Sequence, residues 1–400
     1  MSSSLTSATT AGSNGSNNLI ENNRIVGGYY GITVVGSSSN LDSNNIVRNN
    51  SIEDFNYYGI YTSYQNNNSV QYNEIHRPLR STTSTFCYAI YATTGNEGSN
   101  IDGNKIHNMF NSQNTSTNTF YGIYVSSDCT AVSPNKLTNN LIYNNEGNGT
   151  HYGIYNTGGE YMQAYHNTIA LDYTAATAGT TYGFYQVTTA PGIEFKNNIV
   201  YITRGGSGAK YCIYKSTATT PIESNHNVFY LGSAGSGAQN IGYQGGAQST
   251  LTAWQTTSSQ DANSVVADPM FANPGSGDYL FTELNINNLG TPVGVLTDIN
   301  GSPRNPSAPD PGAYEFVAPP CIAPPTAGNA TSNKLNVCIG EDFSLNLSGN
   351  STGSGQTYKW QQSVTGNAPW VDVDTAIATP SYTTSQLVST YYRCAVTCGG

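Results

Sequence analysis

Charged side chains are scarce in this chain of 400 residues: Asp, Glu, Lys and Arg make up 10% of it, against roughly a quarter in ordinary globular proteins. Only 14 of its residues are Lys or Arg and the formal net charge is −10. Nonspecific binding to nucleic acid, which rests on basic residues neutralising phosphates, is therefore excluded. A strongly polyanionic substrate is disfavoured unless positive charge is gathered locally. Long apolar runs are missing too, and a chain without about 18 consecutive apolar residues has no membrane-spanning helix. Met1 through Asn18 has neither a basic start nor an apolar stretch, so it does not read as a signal peptide. Cysteine is sparse until the end, where Cys321, Cys338, Cys394 and Cys398 crowd together in the manner of an oxidising compartment. The chain thus reads as a piece of a longer secreted or cell-surface protein, with residues 1–13 a disordered or leading segment.

What abounds is Asn, Gly, Ser, Thr and Tyr, and much of it is periodic. Eight times a residue, apolar in all copies but the last, is followed three positions on by Asn and two further on by an apolar residue, beginning with Ile20-x-x-Asn23-x-Ile25 and ending with Ser224-x-x-Asn227-x-Phe229, the first position weakening to Ala and Ser. The recurring residues are Asn23, Asn50, Asn73, Asn104, Asn140, Asn167, Asn198 and Asn227, spaced 27, 23, 31, 36, 27, 31 and 29 apart. A phrase repeated at such spacing marks stacked coils of a solenoid. Asn tolerates the left-handed backbone region and bonds local backbone, which suits a bend between two short strands. Stacked at the interstrand spacing of about 4.8 Å, the amides can also bond one another in a ladder.

A second phrase keeps step with the first: Tyr58-Gly59-Ile60-Tyr61, Tyr88-Ala89-Ile90-Tyr91, Tyr121-Gly122-Ile123-Tyr124, Tyr152-Gly153-Ile154-Tyr155, Tyr182-Gly183-Phe184-Tyr185 and Tyr211-Cys212-Ile213-Tyr214. With the Ile inward, strand alternation sends Tyr61, Tyr91, Tyr124, Tyr155, Tyr185 and Tyr214 outward in one column. Such a column offers aromatic area with polar tips, a track for a glycan; the simpler reading is ring stacking between neighbouring rungs. The loops that precede the tyrosine strands lengthen along the chain, which predicts a groove wall beside the column.

Alternation also gathers Glu53, Glu74, His76, Lys105 and His107 within about 10 Å on consecutive rungs. The set holds a candidate base, a proton donor and a cation that could stabilise a uronate, so the candidate catalytic residues are Glu53, His76, His107 and Lys105. The competing reading is a solvated ladder of ion pairs, Glu74 with Lys105. No stacked Asp cluster for Ca²⁺ and no repeating Asp pair appears, so no metal and no cofactor is expected.

The strand-turn-strand phrase over about residues 14–245 resembles the right-handed parallel β-helix repeat of pectin-lyase-like proteins. The stretch Asp268-Pro269-Met270-Phe271, Asp298-Ile299-Asn300-Gly301 and Pro311-Gly312-Ala313-Tyr314-Glu315-Phe316 resembles the segment that closes many secreted bacterial β-helix proteins. Residues 246–317 are accordingly assigned to a C-terminal cap that closes the last rung, with Arg304, Asp310 and Glu315 as structural partners. A Pro-rich linker, 318–326, leads to residues 327–400, where Val337-Cys338, Tyr358-Lys359-Trp360 and Tyr392-x-Cys394 resemble an immunoglobulin-like sandwich truncated before its last strand. That resemblance implies a Cys338–Cys394 bridge packed on Trp360 and a tyrosine corner at Tyr392. Cys321 and Cys398 are a further candidate pair, four cysteines allowing three connectivities.

The expected architecture is therefore all-β: a right-handed, single-stranded parallel β-helix of about eight coils, followed by a small Ig-like sandwich. The scaffold carries many chemistries, so function is read from the site. The first reading is a monomeric, non-catalytic, extracellular binding or adhesion protein whose partner is a polysaccharide or cell-surface glycan. The runner-up is a polysaccharide lyase, or a glycoside hydrolase, working from the Glu53/His76/His107 patch. A third is a structural stalk displaying other domains.

Overall fold

The structure is a computed structural model that describes residues 10, 15–82, 85–187, 189–218, 222–373, 375–377 and 379–399. The leading segment 1–13 falls, Thr10 aside, outside the described residues. The chain divides into two units, Met1–Phe316 and Val317–Gly400.

In the first unit every coil contributes one short strand to each of three parallel sheets. Sheet A runs from Leu19–Glu21 to Ile222–Asn225, sheet B from Arg24–Val26 to Val228–Leu231 and on to Val265–Val266, and sheet C from Tyr30–Val35 to Gln239–Gln244. This is a right-handed parallel β-helix of about eight coils, as the repeat foretold. Coil stacks on coil in strict register: Val47 on Val70, Ile75 on Ile106, Ile123 on Ile154. Each sheet sends one apolar column inward, and Ile52, Ile75, Ile106, Ile142 and Ile169 of sheet B are all 0% exposed. Burying one such side chain is worth about 1.5–3 kcal/mol. The sheet A column narrows to Ala164 where its phrase weakens, and Phe195 on the next rung stacks on Phe184 at 4.9 Å to fill the space.

The Asn residues form an unbroken interior ladder at the bend between sheets A and B. Asn104 donates from Nδ2 to Val70 O, 2.8 Å, and to Asn140 Oδ1, 3.0 Å, and its backbone N–H donates to the same oxygen at 3.1 Å. The pattern repeats from Asn23 to Asn227. The left-handed residue of the bend is the one before each ladder Asn, namely Asn22, Asn49, Tyr72, Gly103, Asn139, His166, Asn197 and His226. The ladder Asn is recruited for its amide and not for the positive φ that the sequence reading assigned to it.

The ladder ends on a carboxylate. Asp261 Oδ1 accepts from Asn227 Nδ2, Ser224 Oγ and Ser264 Oγ, while its Oδ2 accepts from the indole of Trp254 at 2.7 Å. Trp254 belongs to helix α1 (Leu251–Ser258), N-capped by Thr250, and lies buried over Gly242 on the last coil. Helix α1 thus closes the end of the core. The remainder of the expected cap does something else: residues 268–316 run back along the outer face of sheet B. Tyr279, Ile299, Ala313 and Tyr314 cover Leu141, Tyr143 and Ala170, and Phe281 and Ile286 cover Ile199 and Val228. Three bend residues receive this segment. Arg304 donates to Asn139 Oδ1 at 2.8 Å, His166 Nδ1 to Asp310 O at 2.8 Å, and Asn197 Nδ2 to Thr291 O at 2.7 Å.

The second unit has two three-stranded antiparallel sheets, one with Asn329–Ser332, Phe343–Ser348 and Tyr382–Thr384, the other with Val371–Asp372, Gln356–Ser363 and Tyr391–Cys398. They share the core of Phe343, Leu345 and Trp360, the arrangement of a small β-sandwich. The expected Cys338–Cys394 bridge is not formed. Cys338 lies exposed ahead of the turn before Phe343–Ser348, its N–H bonded to Glu341, while Cys394 lies on the strand paired with Trp360. Phe343 and Leu345 hold the place against Trp360 that the bridge was expected to occupy. The disulfide is Cys321–Cys398. The Tyr392 hydroxyl, expected to form a tyrosine corner, meets the side chains of Thr390 and Thr384.

Two buried cations, Arg204 and Lys210, have no carboxylate partner among the described residues. Arg204 donates to the carbonyls of Gly147, Gly149 and Gly179, and Lys210 to those of Gly206 and Gly208. His151 lies between this guanidinium and the rings of Phe110 and Phe120. Burial, with Arg204 adding repulsion, pushes its pKa well below the ordinary 6.5. The folded state therefore keeps it neutral while the unfolded chain protonates below 6.5, so stability must fall as pH drops through that value. Against His151→Phe, the native chain should lose up to about 1.4 kcal/mol more per pH unit below 6.5 in denaturant titrations. Parallel pH profiles for the two proteins would contradict this.

Candidate functional site

Two surfaces hold the residues picked from the sequence. The first is the outer face of sheet C. The strand Tyr58–Ser63 turns both Gly59 and Ile60 inward, so Tyr58 and Tyr61 both emerge. Simple alternation breaks there because the residue between is small: a Cβ on Gly153 would meet Ile169 Cγ2 at 2.4 Å, and only Ala89 or Cys212 replaces the glycine elsewhere. There are consequently two tyrosine columns. The expected one is Tyr61, Tyr91, Tyr124, Tyr155, Tyr185, Tyr214 and, beyond the expectation, Tyr243. The second, which alternation hid, is Tyr30, Tyr58, Tyr88, Tyr121, Tyr152, Tyr182 and Tyr211. Its signal was present in the sequence as a constant separation of three between the tyrosines of each phrase.

Rings of the second column stack at 4.5–5.5 Å, within 21° of parallel. From Tyr124 onward the first column stacks at 4.3–5.2 Å, within 24° of parallel. The columns meet edge to face, Tyr121 on Tyr155 at 81° and Tyr152 on Tyr185 at 88°. Each pair adds about 0.2–1 kcal/mol, so the expected stabilising role is present. Stacking also has a cost for recognition: ring faces are turned to one another, and what the surface offers outward is ring edges and phenol hydroxyls. Burial, and then neighbouring phenols, raise the pKa values of Tyr155, Tyr185 and Tyr214, that of Tyr214 to about 12. These three hydroxyls are protonated donors at neutral pH. Neither column contains a charged residue.

The loops before these strands, expected to wall a groove beside the column, are tightly packed from rung to rung. They stack on one another, coil by coil, so closely that a Cβ on Gly149 would lie 1.9 Å from Asn118 O, one on Gly208 2.1 Å from Gly179 O and one on Gly237 1.9 Å from Gly208 O.

The second surface is the outer face of sheet B in the early coils. Glu53, Glu74, His76, Lys105 and His107 do come together, with Glu53 beside His76 and His76 beside His107 in register. Glu53 is held by Arg24 in a two-pronged pair at 2.8 and 2.7 Å, which lowers its pKa and leaves it engaged as a structural anion. The carboxylate of Glu74 takes His107 Nε2 at 3.1 Å; the Glu74–Lys105 pair expected from the sequence is replaced by this contact. His107 Nδ1 faces Asn108 Oδ1 at 2.6 Å, and Asn108 in turn donates to Glu146. The rings continue as a stack, His76 on His107 at 5.0 Å, His107 on Tyr143 at 4.7 Å and Tyr143 on Tyr279 at 4.9 Å. Lys105 lines a separate cleft of about 400 Å³ with Asp278, Asp298, Glu315 and Tyr314. Among the described residues no group of three or more His, Cys, Asp or Glu is placed to hold a metal ion.

The patch is thus a stacked and hydrogen-bonded ladder in which a neutral His76 is the one candidate base. Burial, and then the neighbouring His107, depress its pKa below 6.5. In a proton-detected titration His76 should show a midpoint below 6.5, and His107→Phe, which keeps the stack and removes the like charge, should move it upward. A midpoint at or above 6.5 in the native chain would contradict this geometry.

Residues 9–112 match the family described as a right handed beta helix region, and residues 326–400 match a domain of unknown function (DUF8696). No curated protein matches the chain.

Proposed function

We propose that this chain is a non-catalytic, carbohydrate-directed binding or adhesion protein that works at a cell surface, with the doubled tyrosine face as its contact surface and the C-terminal unit as an immunoglobulin-like spacer. The observation that carries the reading is the pair of seven-membered tyrosine columns, both free of charge, at the repeat of the rungs. A row of protonated hydroxyls spaced by about 4.8 Å suits an extended polymer that offers acceptors at a short, regular interval. A neutral glycan chain has that chemistry. Recognition is by hydrogen bonds from the ring edges, because the stacked faces are occupied.

The reading is tested by retention on a panel of neutral and acidic glycans. The double variant Tyr124→Phe with Tyr155→Phe keeps the stacking and removes two hydroxyls; it should lower retention about tenfold while leaving the melting temperature within a few degrees. Retention equal to the native chain would remove the tyrosine face from the account. Release of unsaturated uronate products, abolished by His76→Ala, would overturn the non-catalytic reading in favour of a polysaccharide lyase.

A further inference from the structure

On the outer face of sheet A, away from both surfaces above, a cleft of about 520 Å³ opens between the loop that carries Val132 and Ser133 and the stretch Val293–Thr297 of the returning segment. Its walls are built features. Ser133 bridges back to Thr130 to make a small hairpin, and Thr297 pairs with Pro303 while its carbonyl accepts from Asn139 Nδ2 at 3.1 Å. Arg304, buried beneath, fixes Asn139 from the other side at 2.8 Å. Two of the most exposed apolar side chains of the unit, Val132 at 95% and Leu296 at 78%, stand on these opposite walls.

The floor between them is polar and mixed in sign. Asn100 and Lys136 are neighbours in register on adjacent strands and point outward. Beside them Asp102, only 9% exposed, accepts from Thr138 Oγ1 at 2.6 Å and Asn139 Nδ2 at 3.0 Å through Oδ1. Among the described residues Lys136 makes no ion pair. The floor therefore presents an ammonium and a primary amide within one short span, beside a carboxylate already engaged by Thr138, Asn139 and Tyr72, and the rims present hydrocarbon.

We propose that this cleft is a second ligand site, which takes a short, uncharged oligosaccharide. A sugar hydroxyl both donates and accepts, so it is served by an amide, which does both, and an ammonium, which donates, side by side; the ring C–H groups meet Val132 and Leu296. A phosphate or polyuronate is disfavoured because one lysine is offset by Asp102 at the same floor. The volume lies within the range of small-ligand sites, roughly 300–1,000 Å³. The assignment stands apart from the tyrosine face, shares no residue with it and does not rest on it.

The test is calorimetric titration of the full chain with neutral di- to tetrasaccharides of glucose, xylose, mannose and N-acetylglucosamine, with oligogalacturonate alongside. At least one neutral series is expected to bind, with affinity reduced tenfold or more by Asn100→Ala and by Lys136→Met and unchanged in the Tyr124→Phe, Tyr155→Phe chain. Both cleft positions are surface side chains, so unchanged melting curves will separate loss of binding from loss of fold. Absence of binding by every neutral series, binding indifferent to both cleft substitutions, or tighter binding of oligogalacturonate would each overturn the proposal. Binding removed by the tyrosine changes but not by the cleft changes would overturn it while leaving the tyrosine-face reading intact.

Discussion

The amide ladder sets the geometry on which the rest depends. A coil with three short strands and variable loops could stack in several registers, each slip of one residue turning an inward column outward. Asn Oδ1 removes that freedom by accepting two N–H bonds from the coil before, while Nδ2 reaches a backbone carbonyl of that same preceding coil, as Asn104 does with Val70 O. Because these groups are buried, an unmade bond costs about 1–3 kcal/mol, and a slipped rung would leave several unmade. The ladder also needs a terminus, and Asp261 supplies it by collecting three donors and tying the plug residue Trp254 to the same point.

Register, once fixed, converts a one-dimensional repeat into surfaces. The tyrosines of sheet C become columns because every rung lies over the last, and where their rings stack, throughout the second column and from Tyr124 onward in the first, the surface chemistry changes from ring faces to hydroxyl edges. On sheet B the same stacking makes His76, His107, Tyr143 and Tyr279 one continuous pile of rings, which explains why the polar patch reads as a structural ladder. The sheet A cleft arises differently, from an irregular loop and from the segment that returns along the solenoid. The surface that repetition makes on sheet C is uniform and its tyrosine columns are uncharged, while the sheet A cleft forms where repetition is interrupted.

Much of this was legible in the sequence, because period, strand phrase and ladder positions all follow from spacing. The Glu53, His76 and His107 neighbours were found by counting alternate residues from Ile52, Ile75 and Ile106. Counting failed at Gly59 and its equivalents, where two successive residues face inward and a whole tyrosine column was missed. It assigned the positive φ to the ladder Asn when the preceding residue carries it, since Tyr72 and His166 give no compositional warning of that backbone state. It misjudged Glu74, whose partner was decided by the ring stack, and Cys338, whose place against Trp360 is taken by Phe343 and Leu345. The sheet A cleft could not be read at all. It depends on residues more than 150 positions apart, such as Asn139 and Arg304, meeting through a segment without a repeat.

The most direct test of the ladder is a double-mutant cycle on Asn104 and Asn140, measured by chemical denaturation of the native chain, the two single Ala variants and the double. Residues bonded side by side should be coupled by about 1–2 kcal/mol, whereas Asn73 and Asn167, three rungs apart, should add to within about 0.5 kcal/mol. Additivity for Asn104 with Asn140, or coupling as large for the distant pair, would contradict the register on which the account is built.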